Sequence, residues 1–358
     1  MQDFLVIGGG IAGLSAAARL SALGSVTVLE MEDALGYHAS GRSAALFEQN
    51  YGNAAVVALS RASAAYHREA NGGYLTPRGL LLVAGPEEAA LFERDCDALR
   101  MAPLDLEEAR AMVPILKPGA VAHTAISSAA EDIDTDRMLQ DFARTIRAGG
   151  GRVVTKAAVT AITRTARGWQ LQAGGEAYEG RQLVNAAGAW ADRIASLAGI
   201  APVGLQPRRR SMARLPAPAD HDVRGWPMLI GAGETWYAKP DAGKLLVSPA
   251  DTGLVEPHDA FADDMVLAEG LARYEAMVSE PVTRVEANWA GLRSFVADGA
   301  LVLGPDPACP DFIWCAAQGG YGFQTAPAAS QMLADLVAGR SPELEAAAVT
   351  ALRPDRLR

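Results

Sequence analysis

The opening of the chain allows very few folds. An apolar run, Phe4-Leu5-Val6-Ile7, leads into Gly8-Gly9-Gly10-Ile11-Ala12-Gly13, then an apolar stretch with helical spacing, then Val26-Thr27-Val28-Leu29-Glu30. This reads as strand, glycine turn, helix, and a second strand ending in an acid. Gly8 permits a sharp turn, Gly10 lets backbone approach a phosphate, and Gly13 lets the helix lie close on the strand. The helix N-terminus at Ile11 and Ala12 offers amides and a partial positive charge to a pyrophosphate. Glu30 lies 22 residues beyond Gly8, where a carboxylate can accept hydrogen bonds from ribose hydroxyls. A glycine turn alone is weak evidence. With its flanking strand, helix, strand and acid it predicts a bound dinucleotide, and therefore redox chemistry.

Bulk properties narrow the class. At 358 residues the chain can bury a large core, organised as two lobes. A net charge of −10 argues against nucleic acid as a partner; arginines cluster at Arg208-Arg209-Arg210 but form no long basic run. Cys96, Cys309 and Cys315 are scattered without metal spacing, so they read as free thiols in a reducing compartment, and no metal is expected. The first strand starts at once, so no signal peptide is expected, and no apolar run approaches 18 residues. A cytoplasmic protein without a transmembrane segment is expected, with peripheral membrane contact left open.

Periodicity and turn signals outline the rest. Helices are expected over residues 11–23, 54–70, 87–99, 106–112 and 136–148, the last closed by Gly149-Gly150-Gly151. Gly79 to Val83 reads as a buried strand. Val153-Val154 reads as the start of a strand leading into Val159-Thr160-Ala161-Ile162. Trp169 to Gln172 and Leu183 to Asn185 are further strands. Residues 36–52 read as a loop and helix start. Between about 201 and 300, prolines, short β-like runs and frequent turns indicate an antiparallel sheet inserted into an α/β domain. The end returns to α/β, with a strand at Phe312 to Ala317, a turn at Gln318-Gly319-Gly320-Tyr321-Gly322, and a helix to about Gly339.

Several features favour FAD over a nicotinamide dinucleotide. The apolar strand Leu183-Val184-Asn185 ends in small residues, Ala186-Ala187-Gly188-Ala189-Trp190, past which a cofactor could run close to backbone. The late turn at Gly319, Gly320, Tyr321 and Gly322 opens a helix whose amides could hold negative charge on a flavin ring. No second glycine fingerprint follows a strand, so electrons come from the substrate rather than from NAD(P)H. Taken alone, each later turn also reads as an ordinary helix cap.

Over its whole length the chain resembles FAD-dependent amine and D-amino-acid oxidoreductases, the group of D-amino-acid oxidase, glycine oxidase and sarcosine oxidase. It is most similar to bacterial D-arginine dehydrogenase. The resemblance is carried by Gly36-Tyr37-His38, Ser40 to Ala45, Asp132-Ile133-Asp134-Thr135-Asp136, Val184 to Trp190, Leu205-Gln206-Pro207 with Arg209-Arg210-Ser211, Trp226 to Leu229, and Lys239 to Gly243. Trp289 to Gly299 and Ala316 to Gly322 carry it most strongly. It implies a mixed α/β fold, with a Rossmann-like FAD-binding domain (1–72, 147–200 and 300–358) and an inserted antiparallel-sheet substrate domain (73–146 and 201–299). It also implies that non-covalently held FAD meets Arg42, Ser43, Ala44, Val159, Ala187, Gly188 and Trp190, besides the glycine turns. No cysteine stands in Leu292 to Asp298, where sarcosine oxidases carry their covalent flavin link.

The resemblance further implies that Arg293, Arg210 and Tyr237 hold a substrate carboxylate, and that Tyr51 is a lid tyrosine. A guanidinium fork suits a carboxylate bidentately. Without the resemblance, Arg210 reads as a surface charge, Tyr237 as a core residue and Tyr51 as a wall residue. Departures bear on specificity. The acid that grips arginine in the relative matches Leu80, and a pocket histidine matches Leu46. A buried guanidinium without an acid is costly, so an apolar side chain suits this pocket better. Glu48 complicates that reading, since it either meets an amino group or stands in solvent on its loop. The expected reaction is oxidative deamination of a D-amino acid to a 2-oxo acid and ammonia, with electrons passed to a quinone or carrier. The alternatives are a peroxide-producing oxidase of glycine or sarcosine type, and a flavin subunit of a hetero-oligomeric amine-oxidising complex.

Overall fold

A computed structural model describes residues 1–218 and 221–358. The strand Gln2–Ile7 lies inside an eight-stranded sheet. It pairs in parallel with Val26–Leu29 on one side and with the second half of Glu176–Asn185 on the other. Arg152–Val154 extends the parallel run beyond Val26–Leu29, and Phe312–Ala316 extends it beyond residues 183–185. Strands covered on both faces read as continuous apolar runs, and Leu5, Val6, Val28 and Leu29 are accordingly almost wholly buried. Phe4, Val6, Val26 and Val28 face the helices Ile11–Leu20, Ala54–Glu69, Thr135–Ala148 and Gly322–Val337. Leu5, Ile7 and Leu29 face the other way, toward Trp169, Ile194 and Trp314. The fold is mixed α/β, with a Rossmann-like nucleotide domain.

One sequence expectation fails here. Val153-Val154 does not run on into Val159. Arg152–Val154 sits on the parallel edge, whereas Val159–Thr165 joins an antiparallel meander with Gly168–Ala173 and Glu176–Asn185 at the opposite edge. Lys156 turns the chain between them at φ 56°, a reversal that periodicity does not register. The helix Thr135–Ala148 packs Met138, Leu139 and Phe142 into the nucleotide core rather than onto the second sheet. Residues 36–52 hold one turn of 3-10 helix at Ser40–Arg42 and a two-residue strand, Leu46–Phe47.

The second sheet has eight strands, in the order Ala287–Phe295, Gln206–Leu215, Lys244–Ser248, Tyr237–Asp241, Met228–Gly231, Leu80–Ala84, His123–Ser127 and Ala102–Pro103. All neighbours are antiparallel except Met228–Gly231 against Leu80–Ala84. Alternation sorts its residues. Leu81, Val83, Leu229, Ala238 and Val247 face one core, with Leu267 and Tyr274 of the helix Asp264–Met277. Leu80, Leu82, Met228, Ile230 and Tyr237 face the other way. Leu46–Phe47, Glu131–Ile133 and Leu75–Pro77 form a small third sheet. No helix is long and apolar enough to cross a membrane among the described residues.

His67, on the helix Ala54–Glu69, is fully buried, and burial pushes its pKa down to about 4. It therefore stays neutral in the folded chain but titrates near 6.5 when unfolded. Its contribution is present above pH 6.5 and is lost as pH falls toward 4, by about 3 kcal/mol. Urea midpoints at pH 7.5 and 4.5 are expected to differ less in His67→Gln than in the parent. An equal acid loss in both would remove His67 as the cause.

Candidate functional site

One cavity runs from the glycine turn to the second sheet. At its first end the turn is built as the sequence requires. Gly8 has φ 110°, and a Cβ on it would lie 2.3 Å from the Ala186 carbonyl oxygen. A Cβ on Gly13 would lie 1.9 Å from the Gly8 carbonyl oxygen; Gly13 serves packing, whereas Gly10, Ile11 and Ala12 line the cavity. A Cβ on Gly10 would meet only Ser40 Oγ, at 3.1 Å, so that face of the turn is open. The Ile11 amide donates to Ser40 Oγ at 3.0 Å. Glu30 is 7% exposed and accepts from the Gly9 and Glu32 amides at 2.6 and 2.9 Å, with its carboxylate at the cavity edge.

Ala187, Gly188, Trp190 and Val159 also line this part. Gly188 turns at φ 55°. Trp190 packs on His38, with ring centroids 4.7 Å apart, and His38 Nε2 lies 2.9 Å from Glu32 Oε1. Arg42, Ser43 and Ala44 lie on the wall. Arg42 spends its guanidinium on protein: Nε donates to Tyr37 O, Nη1 to Ala260 O and Ala290 O, and Nη2 to Asp259. It braces the Ser40–Arg42 turn against the 259–260 segment and the strand Ala287–Phe295, with one N–H left over.

At the far end the second sheet supplies the chemistry. Arg208 lies opposite Arg293, and Arg210 opposite Gly291, so Arg210 and Arg293 leave the same face. Arg209 points the other way and pairs with Asp251 at 3.2 Å. Arg293 and Arg210 both reach the cavity, as does Tyr237, whose ring centre is 5.9 Å from Arg210 Cζ. Tyr237 is thus a buried wall of the cavity, and Arg210 is no surface charge. Burial holds the Arg210 pKa below its ordinary value, and the Arg293 charge adds to this. Burial opposes the Arg293 charge as well, but Tyr237, Tyr51 and Glu234 outweigh it and raise its pKa. Among the described residues, Arg210 Nε is buried with no hydrogen-bond partner. Two cations that repel one another around an unpaired donor make a site for an anion.

The late glycine turn fits under Arg293. A Cβ on Gly320 would lie 2.9 Å from Arg293 Nη1, and one on Gly319 would lie 2.5 Å from the Phe295 ring. Gly319, Gly320 and Gly322 line the cavity. A Cβ on Gly322 would sit 3.2 Å from Ile11, so the N-terminal ends of the two helices converge. Tyr321 turns its ring instead to Tyr51 and Phe295, at 5.3 and 6.3 Å. Tyr51 is half-buried and donates to Glu234 Oε2 at 3.1 Å. Burial, then the Glu234 charge, pushes the Tyr51 phenol well above its usual pKa, so it stays protonated as a donor.

Leu46, Leu80, Leu99, Met228 and Ile230 form the apolar floor beside these groups. Glu48 closes it, and the solvated reading of this residue is wrong. Glu48 is 4% exposed, accepting from Ser127 Oγ at 2.7 Å and from the Asn50 amide and Nδ2 at 3.0 and 3.1 Å. A local sequence window gives no hint of Ser127 as a partner. Sequence reasoning also missed Glu234 and Gln324. Gln324 Nε2 donates to Tyr51 O and Ser60 Oγ, at 3.3 and 3.0 Å, and so fixes the Tyr51 loop. For Glu234 the only local signal is the Ala232-Gly233 turn before it.

Comparison with known proteins agrees with this geometry. The family model for FAD dependent oxidoreductases matches residues 3–336. FAD-dependent oxidoreductase domain-containing protein 1 of Bos taurus is 26% identical over 401 residues, spanning 94% of this chain and 81% of that protein. Glycine oxidase from Geobacillus kaustophilus superposes with a TM-score of 0.82 at 21% identity, covering 97% of each chain. L-proline dehydrogenase from P. horikoshii superposes with a TM-score of 0.83 at 22% identity, covering 99% of this chain and 97% of the other. At such identities the two structures speak for the fold alone. The open cradle at Gly10, the Glu30 carboxylate and the two convergent helix ends fit a dinucleotide carrying an extended ring, and the chain belongs to the FAD-dependent oxidoreductase family, with FAD as its cofactor.

Proposed function

We propose that the chain oxidises an α-amino acid, preferentially a D-amino acid with an apolar side chain, to the 2-oxo acid and ammonia. The observation that carries this is the pair Arg210 and Arg293 bracketing the cavity, with Arg210 Nε buried and unpaired. The fork of Arg293 takes the substrate carboxylate, Arg210 completes its hydrogen bonds, and the Tyr237 hydroxyl donates a further one. The carboxylate then cancels the repulsion between the two guanidinium groups. Leu46, Leu80, Met228 and Ile230 cover an apolar side chain and exclude water from the reacting carbon. Tyr51, held by Glu234, closes over the bound acid. Bound FAD supplies the acceptor for the Cα hydride, and the protein's part is to position the reactants. The resulting imine is hydrolysed by water. The D preference rests on the resemblance to D-amino-acid enzymes, and Leu80 and Leu46 weigh against arginine as the side chain. Electrons leave to a quinone or a protein carrier.

The test is anaerobic mixing of the yellow protein with D- and L-amino acids of graded side chain. Bleaching by apolar D-acids ahead of D-arginine is the expected result; bleaching by no amino acid would overturn the reading. Turnover in air that yields peroxide as fast as it reduces a dye would replace the acceptor part alone.

A further inference from the structure

Two segments with no part in the reaction above meet in the fold: Asp132-Ile133-Asp134 and Lys239-Pro240-Asp241. Lys239 stands two residues along its strand from Tyr237, so both side chains leave the same face of the second sheet. Lys239 is 7% exposed. Its Nζ donates to the carbonyls of Ala44 and Ala45 and lies 2.9 Å from Asp132 Oδ1. The other oxygen, Asp132 Oδ2, accepts from Arg78 Nε at 2.8 Å and lies 2.7 Å from Arg78 Nη2. Arg78 is fastened to the carbonyls of Arg224 and Trp226, both at 2.8 Å.

Two properties make this more than a staple between sheets. The first is charge. One carboxylate serves two cations, and among the described residues no second acid pairs with either. One positive charge is left uncancelled in a largely buried place. A buried ammonium is costly and easily replaced by a neutral side chain of similar volume. The second is what the ammonium holds. Ala44 and Ala45 line the same cavity as Tyr237, Arg293 and Gly319. Ala45 has φ 42°, a conformation that residues with a side chain avoid and that its surroundings must maintain. The Lys239 ammonium grips the carbonyls on both sides of that strained joint.

We propose that Lys239 is a positioning residue for the cofactor. It fixes the Ala44–Ala45 peptide against the substrate end of the cavity and sets there an unbalanced positive charge that favours the reduced, more negative flavin. The inference needs FAD as cofactor and is independent of which amine is oxidised.

The test compares Lys239→Met and Lys239→Arg as holoenzymes, by the midpoint potential of the bound flavin and the FAD dissociation constant. Lys239→Met is expected to shift the potential to more negative values and to weaken FAD by about tenfold. Lys239→Arg, which keeps the charge, is expected to restore most of the potential. A native potential in Lys239→Met overturns the proposal, whatever happens to affinity, because a mere staple would leave the potential alone. Should Lys239→Met fail to fold, Asp132→Asn removes the counter-charge and leaves the lysine. Its potential is then expected to rise, and an unchanged or lower value also overturns the proposal.

Discussion

Replacing Arg293 with alanine is expected to raise KM for the amino acid by roughly a hundredfold or more while the protein stays yellow. Truncating one partner of a buried, hydrogen-bonded charge pair costs about 2–5 kcal/mol, and about 1.4 kcal/mol is tenfold in affinity. Arg293 is the better anchor of the two arginines, because Tyr237, Tyr51 and Glu234 hold its charge in place, whereas burial and the neighbouring cation work against Arg210. FAD should remain because the glycine turn and Glu30 stand at the opposite end of the cavity. The loss should fall on KM more than on kcat if the fork grips ground and transition states alike. Arg293→Lys should recover only part of the loss, since an ammonium is a point charge and not a planar fork. Steady-state kinetics on purified holoenzyme checks this. An unchanged KM would remove Arg293 from the substrate site.

Gly13→Ala is expected to yield little or no FAD-loaded protein. The added methyl carbon would sit 1.9 Å from the Gly8 carbonyl oxygen, within 3.4 Å of the Ala186 Cβ. Backbone cannot give way there as a flexible side chain could. Relief requires lifting the helix Ile11–Leu20 off its strand, which moves Gly10 and the helix N-terminus away from where a pyrophosphate would be held. Overpacking costs about 1–3 kcal/mol, with the upper end expected where backbone is the neighbour, and FAD affinity should fall by about a hundredfold. Gly225→Ala is the control, because nothing lies within 4 Å of the added carbon and its φ is ordinary. The ratio of absorbance at 450 nm to that at 280 nm in the purified proteins reads the result. A Gly13→Ala protein as yellow as the control would contradict the packing argument.

The two expectations differ in how far the sequence could carry them. Gly13 and Glu30 act within one strand-turn-helix-strand unit, so their spacing specifies their contacts with the Gly8 carbonyl and the Gly9 amide, whereas the close approach of Gly8 to Ala186 lies outside it. The apolar strand read over Gly79 to Val83 was equally plain and forms over Leu80–Ala84, because an apolar run is a local property. The chain reversal at Lys156 was not, and it separates two strands that periodicity joins. Long-range polar partners were also hidden. Glu48 finds Ser127 across 79 residues, Arg42 finds Asp259 across 217, and Tyr51 finds Glu234 across 183. Nothing near Glu48 in the sequence distinguishes a buried carboxylate from a solvated one. Arg208, Arg209 and Arg210 make the same point: the composition is identical, but strand alternation sends Arg209 to Asp251 and leaves Arg210 Nε without a partner among the described residues.

The proposed chemistry requires a carboxylate as the group that the Arg210 and Arg293 guanidinium forks receive. The most direct measurement is anaerobic flavin reduction by the best amino acid and by the amine that lacks only its carboxyl group, at matched concentrations. The amino acid is expected to reduce the flavin at least about a hundredfold more efficiently. Equal reduction by both would contradict the assignment of Arg210 and Arg293.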